Sequence, residues 1–275
     1  MHDPGQLERA REFRRLHASG TFVIANCWDG GSARVLQSLG YTALATSSAA
    51  AAATYGKQDG QISLDEALAH GRLICNATPL PVSADLENGF GDAPEAAARA
   101  VTSAANVGMV GGSIEDHTGR AADPIYDFAF AVERVAAAVE AARALPFPFT
   151  LTARTENFLH GRADLDDTIR RLQAFEKAGA DVLFAPGLPT LDAIRTVCAS
   201  VSKPVNFMVA IPGKSFSVKE LAEAGIRRIS LATTLYRSAM TGLAASAAEV
   251  LATGRFDYLD RIMPGSELAR RLGDS

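Results

Sequence analysis

Pro81-Val82-Ser83-Ala84-Asp85-Leu86-Glu87-Asn88-Gly89-Phe90-Gly91 is the stretch from which fold and site are both read. A short extended run delivers two carboxylates, Asp85 and Glu87, into a turn rich in glycine. Residues i and i+2 of a strand point to the same side, so both acids aim at one spot if the extended geometry persists. Two acids facing one point repel unless a cation, a proton or an arginine sits between them. Glycine lets a ligand approach the backbone closely. The arrangement suits a hard divalent ion such as Mg2+, which takes oxygen ligands and keeps several waters. A solvated turn after a strand is the other reading of the same residues.

Seven further short apolar runs flank this one: Phe22–Asn26, Thr42–Thr46, Val110–Ile114, Phe149–Ala153, Asp181–Phe184, Pro204–Phe207 and Arg228–Leu231. Helical patterns separate them. Ser63 followed by Glu66, and Ser217 followed by Glu220, have the form of capping boxes, and Pro94 suits a first helical turn. Gly40, Gly179 and Gly225 stand where left-handed helix caps fall, with Asn106 in the matching place before Val107 and Gly108. Eight such units in a chain of 275 residues point to α/β architecture, a single-domain (β/α)8 TIM barrel, over an open doubly wound sheet. No GxGxxG turn follows the first strand, which argues against a dinucleotide fold. The barrel core is expected over about 20–252. The segment about 253–275, with Phe256, Leu259, Ile262, Met263, Leu268 and Leu272, is free to pack on the barrel or on a neighbouring subunit.

Composition narrows the function classes. Hydrophobic residues make up 48% and charged residues 21%, ordinary for a globular protein with a substantial core. A net charge of -4 offers no basic field for nucleic acid or anionic membrane. The charged segment through Gly20 has no apolar h-region, and the Ala43–Ala53 run is too short to span a bilayer. Cys27, Cys75 and Cys198 form no CxxC pair, and a reducing cytoplasm is the expected setting.

In a barrel the chemistry gathers at the C-terminal strand ends. There the sequence places Asn26 and Asp29, Ser47 and Ser48, Asp85 and Glu87, Glu115-Asp116-His117, and Arg154-Thr155-Glu156. Carboxylates with one arginine and two hydroxyls are what a Mg2+ site for a carboxylate substrate requires, since guanidinium grips a carboxylate bidentately. A salt-bridge network across the barrel top, with Arg154 serving Glu115 or Glu156, uses the same residues. His117 titrates near neutrality and is a candidate acid–base group. Cys27 reads as a small buried residue, Trp28 as pocket lining or packing, and Tyr55 as a possible proton donor.

These residues resemble the isocitrate lyase/phosphoenolpyruvate mutase superfamily. Its Asp-x-Asp-x-Gly-x-Gly motif stands here as Asp85-Leu86-Glu87-Asn88-Gly89-Phe90-Gly91. Its Ile-Glu-Asp turn is Ile114-Glu115-Asp116, and its Ala-Arg-Thr-Asp turn is Ala153-Arg154-Thr155-Glu156. Thr46-Ser47-Ser48-Ala49 and Tyr55-Gly56-Lys57-Gln58-Asp59 are similar to its Ser-Gly segment and downstream Asp. The resemblance implies a Mg2+ cofactor, with Mn2+ able to replace it, held by Asp85, Glu87 and Glu115 directly or through water. It implies a substrate carboxylate on Ser47, Ser48 and Ala49, Arg154 on the oxyanion side, and Asp59 near the site. It also implies a homodimer or homotetramer that exchanges its last helix.

The departures are specific. The Lys-Lys-Cys-Gly-His loop of isocitrate and methylisocitrate lyases is replaced by Glu115-Asp116-His117-Thr118-Gly119-Arg120, and Pro186 stands near the place of the lyase glutamate after the sixth strand. His117 also replaces the mutase lysine. The expected function is a Mg2+-dependent lyase that cleaves a C–C bond of a small 2-oxo or 2-hydroxy di- or tricarboxylate through an enolate-type intermediate. Arg154, Asp59 and His117 are its candidate catalytic residues; no residue is assigned as the general acid or base. Two alternatives remain: P–C chemistry on phosphonopyruvate or phosphoenolpyruvate by a mutase or hydrolase, and a non-catalytic barrel that binds a 2-oxo acid.

Overall fold

The computed structural model describes residues 4–273, so the last two residues of the expected C-terminal segment lie outside the described residues. Eight parallel strands close on themselves in sequence order. They are β1 (Phe22–Asn26), β2 (Leu44–Ala45), β3 (Val82–Asp85), β4 (Gly111–Glu115), β5 (Thr150–Arg154), β6 (Val182–Phe184), β7 (Val205–Met208) and β8 (Arg228–Ser230). Closure is made where Phe22, Val23 and Ile24 of β1 pair with Arg228, Ile229 and Ser230 of β8. Each expected strand is present. β2 is shorter than the Thr42–Thr46 run at both ends, although the Thr46 amide still bonds the Ser83 carbonyl at 2.9 Å before Ser47 caps the next helix.

Helix α1 (Pro4–Ala18) precedes the barrel, and α2 (Gly30–Ser38), α3 (Ser48–Thr54), α4 (Leu64–Ala77), α5 (Pro94–Asn106) and α6 (Phe128–Arg143) follow in turn. The chain continues through α7 (Leu165–Ala178), α8 (Leu191–Ser200), α9 (Val218–Glu223), α10 (Thr234–Thr253) and α11 (Gly265–Leu272). Both capping boxes form, at Ser63 and Ser217, and Pro94 opens α5. Gly40, Gly179 and Gly225 are left-handed as expected. Asn106 is not: it stays helical, and Gly108 takes the positive φ of 104°. Glycine is suited there because a Cβ would also approach Cys75 to 3.2 Å.

The core is a shell between strands and helices. Ala97, Ala100 and Ala104 of α5 and Ala131, Ala138 and Ala142 of α6 are buried, and their small side chains let these two helices pack closely. α1 closes the N-terminal mouth of the barrel. Phe13 is fully buried against β4, where a Cβ on Gly111 would come within 2.7 Å of its ring. Gln6 donates to the carbonyls of Ala105 and Met109 at 2.7 and 3.0 Å. His17 reaches up from the same helix towards the buried Arg228.

α10, like α11 after it, has no buried residue, whereas each of α2 to α9 has at least one. Leu243, Leu251, Phe256 and Leu259 are more than half exposed, at 62, 89, 57 and 56%. α11 returns to α2, where Arg34 Nη1 donates to the Leu272 carbonyl at 2.7 Å and Arg271 to Ser38 Oγ at 3.1 Å. Among the described residues no helix is long and apolar enough to cross a membrane.

Burial, reinforced by Arg228, pushes the His17 imidazole down to about 3 from an ordinary 6.5. The unfolded chain therefore takes up this proton between those values while the folded chain does not. Stability is complete above about pH 6.5 and falls as pH drops, at most about 1.4 kcal/mol per pH unit for one such group. Urea unfolding of the wild type and of His17→Gln at pH 7 and pH 5 should differ in pH dependence by about 2 kcal/mol, with the wild type losing more. Identical pH dependence in the two proteins would contradict the buried neutral histidine.

Candidate active site

At the end of β3 the Asp85 carboxylate accepts from the Ser48 amide at 3.0 Å and lies 3.5 Å from Ser113 Oγ. The Asp85 amide donates to Thr46 Oγ1 at 2.9 Å. The extended geometry does not continue to Glu87. That residue has φ 48°, Gly89 has φ 84° and Phe90 has φ 60°, so the chain turns sharply across the barrel mouth. Two non-glycine residues in the left-handed region mark a loop held by its surroundings. A Cβ on Gly89 would lie 2.7 Å from Ala97 Cα, which fixes the loop against α5. The Glu87 carbonyl accepts from the Glu115 amide at 3.0 Å, so the two acidic turns are tied through backbone.

A residue that the sequence reading did not identify holds this loop from below. Arg134 is 1% exposed and donates to the carbonyls of Asn88, Gly91 and Asp92. Its guanidinium stacks over the Tyr126 ring at 4.4 Å. The available signal was an arginine on the apolar face of α6, three residues after Ala131 and next to Val135.

Arg154, at the end of β5, is the cation at the centre. Its Nε bonds Glu156 Oε1 and lies 3.4 Å from Glu115 Oε2, its Nη1 lies 3.9 Å from Asp85 Oδ1, and the guanidinium sits 5.0 Å above the Phe184 ring. The partnership with Glu115 and Glu156 therefore exists, within the same cluster as the acids expected to hold a metal. Asp85, Glu87, Glu115, Glu156 and Asp59 outnumber the single arginine, and their charge states record it. Burial, then Asp85, Asp59 and Glu115, push the Glu87 carboxyl up to about 8. Burial and the neighbouring acids also raise Asp59. Burial raises Glu156 against the pull of Arg154, whereas Glu115 is held low because Arg154 and His117 outweigh its burial.

The Glu87 Oε1 atom is buried and has no hydrogen-bond partner. An orphaned carboxylate oxygen beside other acids is the feature a cation would satisfy. Among the described residues no three of His, Cys, Asp and Glu converge as a direct ligand set. A cation satisfied here would therefore have to keep part of its water shell.

Two imidazoles close the outer wall. His117 Nδ1 lies 3.6 Å from Glu115 Oε1, His160 Nε2 lies 3.7 Å from Glu156 Oε2, and the rings stack with centroids 3.9 Å apart. The Glu115 carboxylate raises His117, while burial and then His117 lower His160. The sequence reading named His117 and missed His160, the imidazole in the loop after Arg154. Beneath them Asp116 turns inward. It accepts from the Glu156 amide at 2.8 Å and pairs with Arg171 at 3.1 Å, and Arg171 pairs with Asp167 at 2.8 Å.

Ser47, Ser48, Ala49, Asp59, Asp85 and Arg154 line a cavity of about 230 Å³. Glu87, Glu115 and His117 line the wider adjoining space of about 1030 Å³, which shares Ser48, Asp59 and Arg154 with it. The residues expected from sequence to hold metal, bind substrate or act in catalysis thus line these two adjoining spaces. Ser47 Oγ caps α3, accepting from the Ala50 amide. Tyr55 stands outside it, 43% exposed and bonded to the Glu66 carbonyl. Cys27 is buried, and burial pushes its thiol up to about 12, as befits a packing residue.

The family model of phosphoenolpyruvate phosphomutase matches residues 13–251. The 2-methylisocitrate lyase of Salmonella typhimurium is 31% identical over 236 residues, 82% of this chain and 77% of that protein. A crystal structure from Burkholderia cenocepacia J2315, assigned only broadly as a lyase/mutase, is 49% identical with a TM-score of 0.96, covering 99% of this chain and 98% of that one. A 2,3-dimethylmalate lyase is 28% identical with a TM-score of 0.86 over 96% of this chain and 95% of that one.

Asp116→Asn removes the charge that faces Arg171 and weakens the bond to the Glu156 amide. A loss of about 3 kcal/mol in unfolding free energy is expected, the size seen when one partner of a buried ion pair is removed. Chemical denaturation checks it, and a loss below about 0.5 kcal/mol would show that Asp116 does not organise the turn.

Proposed function

The chain belongs to the phosphoenolpyruvate phosphomutase family within the isocitrate lyase/phosphoenolpyruvate mutase superfamily, and from that premise we propose that it is a metal-dependent lyase cleaving a C–C bond in a small 2-oxo or 2-hydroxy carboxylate. The observation that carries this reading is the excess of carboxylates around Arg154, Glu156 buried and Asp85, Glu87 and Glu115 half-buried, with the buried, unpartnered Glu87 oxygen among them. Mg2+ is the proposed ion, or Mn2+ in its place, and Asp85, Glu87 and Glu115 would hold it. When bound, the ion supplies Lewis-acid stabilisation of negative charge that develops on the substrate.

The chain's own residues supply the rest. Arg154, fixed between Glu115 and Glu156 above the Phe184 face, presents a guanidinium to the oxyanion side of the substrate. Ser47, Ser48 and Ala49, at the start of α3, receive the carboxylate. Asp59 stays near this corner, raised by desolvation first and then by Asp85 and Glu115. His117, biased towards its protonated form by Glu115, is placed to hold a proton at Nδ1 over the mouth.

P–C chemistry asks the loop after Glu115 for cationic help with a phosphoryl group. Arg120, the cation of that loop, is engaged with Asp92 at 2.8 Å on the exposed surface, which favours the C–C reading. A non-catalytic barrel would have no use for the full acid cluster. The proposed organisation is one barrel domain with a core over about 20–252 and an oligomerisation segment over about 253–275. The bare apolar face of α10 and the residues after it supports a partner subunit of the same chain, dimeric or tetrameric, and suggests that the segment begins as early as α10. The three free cysteines support a reducing, cytoplasmic setting.

Incubation with Mg2+, with and without EDTA, against oxaloacetate, 2-methylisocitrate, 2,3-dimethylmalate and phosphonopyruvate tests the reading. Metal-dependent loss of a C–C substrate is expected, with kcat falling about 10²- to 10³-fold in Arg154→Lys. Phosphate release from phosphonopyruvate would favour the P–C alternative, and binding without turnover the non-catalytic one. A Glu87→Ala protein with metal binding and activity both intact would sink the site assignment.

A further inference from the structure

The cavity does not end at the acids. It continues down the barrel past Ser83, Ser113, Asn206 and Ser230 and reaches Arg228, at the start of β8. Arg228 is 5% exposed, and its guanidinium bonds only neutral groups. Nε donates to Asn206 Oδ1 at 2.8 Å, Nη2 to Thr152 Oγ1 at 3.1 Å, and Nη1 lies 3.4 Å from His17 Nε2. His17 Nδ1 lies 2.8 Å from the Phe13 carbonyl, so Nδ1 carries the proton and Nε2 is the acceptor that Arg228 meets.

The other buried arginines of the barrel have a visible charge or carbonyl account. Arg171 has Asp116 and Asp167, Arg154 has Glu115 and Glu156, and Arg134 has a ring of loop carbonyls. Arg228 has no acid within ion-pair distance among the described residues. Burial alone pushes it down to about 9, with no charge partner opposing. A guanidinium carries five N–H donors, of which three are used here, and the remaining fork matches a carboxylate. A buried unpaired cation is costly to a fold unless something anionic reaches it.

We propose that Arg228 is the second anion-binding group of the substrate cavity, receiving the far carboxylate of a small dicarboxylate whose other end lies among Ser47, Asp85 and Arg154. This rests on the reading of the site as a cradle for 2-oxo or 2-hydroxy acids and adds the substrate's second charge to it. The space of about 230 Å³ holds several waters' worth of volume, at roughly 30 Å³ each, and its wall mixes the polar groups of Ser83, Ser113, Asn206 and Ser230 with apolar ones such as Ile24 and Met208. A dicarboxylate fills it with charge at both ends. A monocarboxylate leaves Arg228 uncompensated, so the residue sets specificity for dianions.

Calorimetric titration of the full chain with malate and with lactate, in the presence of Mg2+, tests the assignment, because the two differ by the second carboxylate. The wild type should bind malate about tenfold or more tightly than lactate, and Arg228→Gln should bring that ratio close to one while lactate affinity stays unchanged. Arg228→Lys, which keeps the charge, should retain part of the preference. A folded Arg228→Gln with the full malate preference overturns the proposal. If Arg228→Gln does not fold, the wild-type ratio decides, and a ratio near one overturns it. Thermal stabilisation of the wild type by chloride without any malate advantage would assign Arg228 to a small inorganic anion and also overturn it. Failure of both acids to bind would instead overturn the underlying reading of the site.

Discussion

One guanidinium organises the mouth of this barrel. Arg154 lies between Asp85, Glu115 and Glu156, and without it the carboxylates that three strands and their loops deliver to one place would repel one another. It does not neutralise them all. Glu87 and Glu156 are pushed towards their protonated forms, and Glu87 keeps a buried oxygen with no partner. That surplus is the physical basis for reading the cluster as a cation site. A barrel top needing only mutual salt bridges would balance its charges.

The fold supplies the convergence. Parallel strands all end on one side, so a motif at each strand end points into the same space. Beneath the acids of the mouth lies a second set of polar contacts. Asp116 and Asp167 hold Arg171, and Arg134 gathers the carbonyls of the loop after Glu87. The Glu115-Asp116 pair divides the labour within two residues: the first faces the cavity, and the second faces the protein and fixes the turn that carries Glu156. The barrel interior below is polar too, running from Asp85 to Arg228, which gives the cavity depth where many barrels are filled with branched aliphatic side chains.

Much of this was legible in the sequence because it is local. Strand runs, capping boxes at Ser63 and Ser217, and left-handed glycines at 40, 179 and 225 are written in neighbouring residues, and the structure follows them. The strand-end rule then placed Asp85, Glu115 and Arg154 together without coordinates. Features that depend on distant partners were not legible. Glu87 leaves the extended conformation because the loop must lie on α5, and nothing within Asp85-Leu86-Glu87 encodes that contact. Arg134, His160 and Arg228 act through residues tens of positions away, and only Arg134 left a trace, as a charge on an apolar helix face. The bare face of α10 was missed for the opposite reason: its apolar pattern resembles that of a helix packed on its own barrel.

The surplus acid at the mouth is read as a divalent-metal site which also receives a 2-oxo acid. Electron paramagnetic resonance of Mn2+ titrated into the metal-free protein, before and after addition of oxalate, tests both halves at once. The free-ion signal should be suppressed until one equivalent per chain is bound, and the bound spectrum should change when oxalate enters. A free-ion spectrum throughout the titration, unaltered by oxalate, would contradict it.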